Sequence, residues 1–173
     1  GAALRLDICD SCGPALPSDE ASLARWRAGS GWMQTDYAPI RRAAARIARS
    51  NESDSDKMDA LSRIARARLR DVDFSGHYTA RDAWNRRAGD CTEDALLLAT
   101  LARAAGIPAL VASGMVYTRE RYHGARDAFM PHSWVVAYLD GQWRSYDMTL
   151  GEFDASHIAL TLGDGSSRQV AAC

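Results

Sequence analysis

The sequence predicts an α+β fold, with helices first, strands later, and the helices packed on a largely antiparallel sheet. Three observations carry this expectation. Apolar residues recur at helical spacing in successive segments up to Ala105. After Pro108 the texture changes to short aromatic and β-branched runs. Between two of those runs stands Asp140-Gly141, the strongest short signal for a tight hairpin.

Residues 1–18 read as an extended arm. Ser18 or Asp19 can cap a first helix reaching Ala28. In YAPIRRAAARIARS, Ile40, Ala43, Ala44, Ile47 and Ala48 form an apolar stripe. The polar break SNESDSD follows, and Asp56 can cap a third helix whose stripe is Met58, Leu61, Ile64, Ala65 and Leu69. Thr79 can cap the short helix ARDAWNRR. The arginine-rich outer faces of these helices are solvated surface. Strands are expected in ALVASGMVY, HSWVVAYL, QWRSYDM and HIALTL.

Bulk properties bound the function. The chain has 173 residues, long enough for one domain with a real core, so 1–173 is expected to be a single unit. Residues 163–173 read as a tail. Net charge is −1, which excludes a strong field for nucleic acid. No apolar run approaches the ~20 residues of a membrane span. Lys57 is the only lysine. Genome composition explains this, and so would an acyl-transfer enzyme avoiding its own amine acceptors; one lysine does not separate the two.

Of the four cysteines, Cys9 and Cys12 form a C-x-x-C and Cys173 ends the chain. Zinc needs about four ligands, and no second ligand pair is present, so no metal is expected. CDSCGPALP runs into glycine and two prolines and reads as a loop rather than a redox site. The leading reading is disulfide bonding among Cys9, Cys12 and Cys173, with the pairing open. It implies an oxidising compartment, the periplasm or the cell exterior.

Cys91 differs from these three. Asp90 can cap the next helix, with Glu93 completing a capping box. The segment from Ala95 to Ala105 is almost wholly apolar, so the helix is deeply buried and Cys91 lies in its first turn. Unpaired N–H groups and a partial positive charge there favour a thiolate and can bind an oxyanion. Glu93 and Asp94 oppose the thiolate, so a base is also wanted.

His132 is the candidate base. A two-residue turn at Asp140-Gly141 pairs Leu139 with Gln142, so paired positions sum to 281. His132 then faces Thr149, and Trp134 faces Asp147. Period-two alternation puts His132 and Asp147 on one face as diagonal neighbours. Such an aspartate can orient an imidazole and stabilise its charged form.

AGDCTEDALLLATLARAAGIPA, GMVY, HSWVVAYLDGQWRSYDMT and DASHI together resemble the transglutaminase-like superfamily in its bacterial branch, over residues 79–162. The resemblance implies a papain-like, transglutaminase-core fold with a central Cys-bearing helix. It implies Cys91 as nucleophile, His132 as general base and acid, and Asp147 as orienting partner. Such proteins attack a carboxamide, form a thioester, and pass the acyl group to an amine or to water. The backbone N–H of Cys91 would supply part of the oxyanion hole. Two departures stand out: Val136 occupies a position that often holds Glu, and Asp147-Met148-Thr149 stands where D-P-T is common. The calcium sites of animal members have no counterpart, so neither metal nor cofactor is expected.

Trp84, Tyr117 and Trp134 are candidate substrate contacts. Thr118–Pro131 has the length and polarity of a lid or substrate-selecting loop. His123 lies within it and is expected to be exposed; His157 reads as structural. The expected function is a cysteine acyltransferase or amide hydrolase acting on protein or peptide substrates. Hydrolysis is favoured because water is always present. Further domains of a longer precursor are compatible with this. The rivals are a non-catalytic peptide-binding module with the same fold and a thiol-redox protein using Cys9 and Cys12.

Overall fold

The computed structural model describes residues 16–72, 76–122, 124–151 and 153–170. Cys9, Cys12, Cys173, His123 and most of the expected N-terminal arm lie outside the described residues. Capping side chains set the helix starts. Helix α1, Glu20–Arg27, begins at Asp19, whose carboxylate accepts from the Ser22 N–H. Helix α2, Ala38–Ala48, buries Ile40, Ala44 and Ile47. Helix α3, Asp54–Arg68, is capped by Ser53, not by Asp56. The Ser53 hydroxyl oxygen accepts from the Asp56 N–H, and Asp56 sits in the first turn. An acid there suits the positive helix end, so the shorter side chain caps and the acid follows. After strand β1, Arg70–Asp71, helix α4, Ala80–Arg86, starts at Thr79 as expected.

Strand β2, Ala88–Gly89, pairs in parallel with β1, a contact too short to leave a pattern in the sequence. It leads directly into helix α5, Cys91–Ala104. Eleven of the 14 residues of α5 are buried, so it has no solvent face. Helices α1 to α4 pack on it, and the main sheet covers the rest. Leu96, Leu97, Leu98 and Leu101 are fully buried, each contributing roughly 1.5–3 kcal/mol by leaving water. The buried Arg103 straps the far end: Nε donates to the Ala109 carbonyl and Nη1 to that of Ala28, both at 2.8 Å.

The main sheet holds β3, Ala109–Thr118; β4, Ala128–Leu139; β5, Gln142–Tyr146; and β6, His157–Gly163. Its order is β5-β4-β3-β6, with every pairing antiparallel. Asp140 and Gly141 both have left-handed φ, 50° and 86°, as a two-residue hairpin turn requires. The expected register runs from Leu139↔Gln142 to Val135↔Tyr146 and stops there. The pairs Trp134–Asp147 and His132–Thr149 do not form. Asp147 instead opens a turn, its Oδ1 accepting from the N–H groups of Thr149 and Leu150. A local side-chain-to-backbone bond has replaced the ladder.

β4 begins at Ala128 and β3 ends at Thr118, so the expected loop Thr118–Pro131 shrinks to residues 119–127. The expected tail carries a short helix α6, Ser167–Val170. Val135, Ala137 and Leu139 of β4 join the main core under α5. Trp134 and Val136 face the other way and form a second cluster with Ala112, packed against Leu16 and Trp143.

Candidate active site

The start of α5 is fixed by three interlocking contacts. The Asp90 side chain accepts from the Thr92 N–H at 3.0 Å, and Glu93 Oε2 accepts from the Asp90 N–H at 3.1 Å. The other Glu93 oxygen accepts from the Tyr78 N–H at 2.9 Å, which tethers the chain ahead of α4. Glu93 is fully buried, and a Cβ on Gly89 would lie 2.4 Å from the Glu93 Cβ. Only glycine lets β2 pass this carboxylate. The capping box thus has a further task, holding Cys91 in place.

Cys91 is buried, with its thiol hydrogen-bonded to the Ser133 backbone N–H, the Tyr122 hydroxyl and Thr92. The Ser133 N–H lies beyond the last β4–β5 pair, where the strand edge is open. Burial, helped by the Asp90 charge, pushes the Cys91 thiol up to about 11 against those hydrogen bonds. In this arrangement Cys91 is therefore a neutral thiol, and deprotonation needs a base.

His132 and Asp147 meet. His132 Nε2 donates to Asp147 Oδ2 at 2.6 Å, with both side chains out of solvent. The other ring nitrogen, Nδ1, lies 2.9 Å from the Tyr122 hydroxyl. Tyr122 therefore bridges the imidazole and the Cys91 thiol. It belongs to the 119–127 segment, where it pairs with Ala125 in a small turn. Burial, followed by the Cys91 charge, drives its phenol far above the ordinary range, so it remains a neutral hydroxyl. The only sequence signal for Tyr122 was its place in a loop next to His132.

Asp147 is ionised despite its burial. Burial opposes the charge, but hydrogen bonds from His132 and His157 and the backbone N–H of Leu150 outweigh it and hold the group well below the usual carboxylate range. The turn it opens is docked on α5, because Thr149 Oγ1 donates to Asp94 Oδ2 at 3.2 Å. Burial raises the Asp94 carboxyl to about 7, with the Thr149 bond acting against the shift and the Asp71, Asp90 and Asp147 charges adding to it.

His157 is the residue that sequence reasoning undervalued. It is buried, and its Nε2 reaches the same Asp147 Oδ2 at 2.9 Å. β6 brings it there by a bulge between Ser113 and Gly114. A Cβ on Gly114 would fall 2.0 Å from the Ile158 carbonyl oxygen, so this close approach requires glycine. Gly114 also lies directly opposite His132 on β4. Its spacing in the sequence gives no hint of this.

Of the candidate substrate contacts, Trp134 is buried, stacked on His132 at 6.1 Å and edge-on to His157 at 5.1 Å. Tyr117 lines an open groove of about 570 Å³ shared with Thr118, Leu150 and His157. Trp84 packs against the main core beneath Arg68 and is not brought to the histidines by any described ring contact. The two departures from the family pattern have apolar surroundings: Val136 lies in the second cluster and Met148 is buried in the main core.

Residues 41–148 match the family model of the transglutaminase-like superfamily. The chain belongs to that superfamily. Its fold is shared with solved structures. One, from Cytophaga hutchinsonii and described as a candidate cysteine protease, has 21% identity and a TM-score of 0.70, over 87% of this chain and 50% of that one. Another is the periplasmic domain of TgpA from Pseudomonas aeruginosa, with 21% identity and a TM-score of 0.59, over 77% of this chain and 48% of that one. The chain spans about half the length of these structures. No curated protein matches it. Among the described residues, no helix is long and apolar enough to cross a membrane.

Proposed function

We propose that this transglutaminase-like chain is a cysteine-dependent enzyme acting on protein or peptide carboxamides, with Cys91, His132 and Asp147 as its triad. One observation carries the reading. The imidazole that faces the thiol through Tyr122 is held from behind, at 2.6 Å, by an ionised carboxylate. In the first step His132 Nδ1 takes the thiol proton while Sγ bonds to the carbonyl carbon. The backbone N–H of Cys91 faces the developing oxyanion. The carbon–nitrogen bond then breaks, the amine leaves with the proton from Nδ1, and a thioester remains. Water, or an amine, gives a proton to Nδ1 as it attacks the thioester, and Sγ leaves and is reprotonated. Water is the favoured acceptor. The Tyr122 hydroxyl fills the gap between thiol and imidazole, so substrate entry displaces it.

That filled gap is also the observation that favours the second reading, a peptide-binding module with no turnover. Incubation with a library of glutamine-containing peptides, with and without a primary amine, separates the two. Mass changes report ammonia loss, amine adducts or chain cleavage. Wild type should produce at least one of these, and Cys91→Ala none. Identical behaviour of the two proteins sinks the enzyme reading. We assign the chain to the periplasm or the cell exterior, with a disulfide among Cys9, Cys12 and Cys173. Alkylation without reductant should then leave two of the four cysteines unlabelled after denaturation.

A further inference from the structure

We infer that His157 is a positioning residue of this site, an imidazolium that clamps the Asp147 carboxylate toward His132. The inference rests on the triad reading and adds a fourth member to it. His157 Nε2 faces Asp147 Oδ2 at 2.9 Å; Nδ1 faces the Asp154 carbonyl oxygen at 3.2 Å and the Ser156 hydroxyl oxygen at 3.4 Å, whose own proton goes to Asp154 Oδ1. All three partners accept here, so both ring nitrogens donate and the ring carries a proton on each. His132 differs. Its Nε2 also faces the carboxylate, but Nδ1 faces a hydroxyl that can donate, so a neutral ring satisfies it.

The charged groups around His157 agree. Asp147 approaches from the turn after β5 and Asp154, whose Oδ1 lies 3.4 Å from Nδ1, from its own segment. His132 stands on β4, with ring centroids 5.7 Å apart. Arg119 and Glu120 line the groove that His157 shares, and Trp134 and Phe153 cover its ring. Burial works against the charge on His157, but the Asp147 carboxylate outweighs it and raises the basicity of the ring.

Among the described residues, Asp147 receives four donors: Thr149 and Leu150 N–H on Oδ1, and two imidazoles on Oδ2. Its orientation toward His132 is therefore fixed before substrate arrives.

The test is nitrogen NMR of histidine-labelled protein, whose four histidines make assignment tractable. In wild type at pH 7.5, His157 should show two protonated nitrogens; a neutral ring overturns the proposal, and this needs no variant. In His157→Gln the amide can still donate to Asp147 but carries no charge. The resonance of the Nε2 proton that His132 shares with Asp147 should then move, because the carboxylate has lost a cationic partner. A purely structural role would leave that resonance unmoved, which also overturns the proposal. The rate at which iodoacetamide alkylates Cys91, read on its own peptide, keeps the two readings apart. If His132→Asn leaves that rate unchanged, the triad reading fails. If the rate falls but the His132 Nε2 resonance stays put in His157→Gln, only the role of His157 fails.

Discussion

Along β4, Val135, Ala137 and Leu139 turn into the aliphatic core beneath α5, whereas His132, Trp134 and Val136 turn to the opposite face of the sheet. The first face is closed by leucines of α5 and by helices behind it. The second gathers rings: His132 on Trp134, Trp134 against His157, and Phe153 at 4.5 Å from His157. One strand therefore carries core residues on one face and the proposed catalytic histidine on the other, through a side-chain period of two. A slip of one residue would exchange the two sets, which the tight Asp140-Gly141 turn prevents.

The comparison can be broken most severely on the ring face. His132→Ala should lower turnover by about 10³-fold, far more than the loss of its buried bond to Asp147 lowers the thermal midpoint. The core face should do the reverse. Leu139→Ala should cost about 3 kcal/mol in denaturant unfolding, while Cys91 alkylation per folded molecule stays at the wild-type rate. If either variant shows the other's signature, the division of labour is wrong.

Two carboxylates on the helix side of the site sharpen the picture through pH. The Asp147 pKa is depressed in the fold, so its stabilisation is present above the unfolded value near 3.8 and is lost as pH falls through the folded one. Asp147→Asn should therefore be less stable than wild type at pH 6, and the gap should narrow below pH 4. Asp94 has the opposite sign. Its pKa is raised to about 7, so its contribution is full below 3.8 and is lost as pH rises through 7. Asp94→Asn should melt a few °C above wild type at pH 8, at roughly 2–4 °C per kcal/mol for this size, and converge with it below pH 4. The smallest effect is expected from Tyr122→Phe. Removing the bridging hydroxyl should change the Cys91 alkylation rate by less than about tenfold, since one hydrogen bond is worth about 1 kcal/mol.

Much of this was legible in local chemistry. The Asp90–Glu93 box and the Asp-Gly turn are set by neighbours within a few residues and formed as read, and the register held as far as Tyr146. Ser53, not Asp56, caps α3, because the polar run SNESDSD holds several oxygen-bearing side chains that local chemistry does not rank. The ladder ended at Tyr146 because Asp147 found backbone donors of its own. Trp84 and Trp134 are alike as letters, yet only Trp134 lies on the face that carries the histidines.

The amino-acid order by itself determined the helix that begins with Cys91, the Asp140-Gly141 turn with the register it sets as far as Tyr146, and the superfamily. Capping, turn geometry and periodicity act over short stretches of chain and need no tertiary information. Only the tertiary structure decided that Tyr122 stands between thiol and imidazole, that Glu93 anchors Tyr78, and that His157 shares the Asp147 carboxylate. Those contacts join residues 10 to 15 positions apart through a loop, a buried staple and a bulge made possible by Gly114. Each depends on how close two backbones come, a distance that residue types and spacing do not encode.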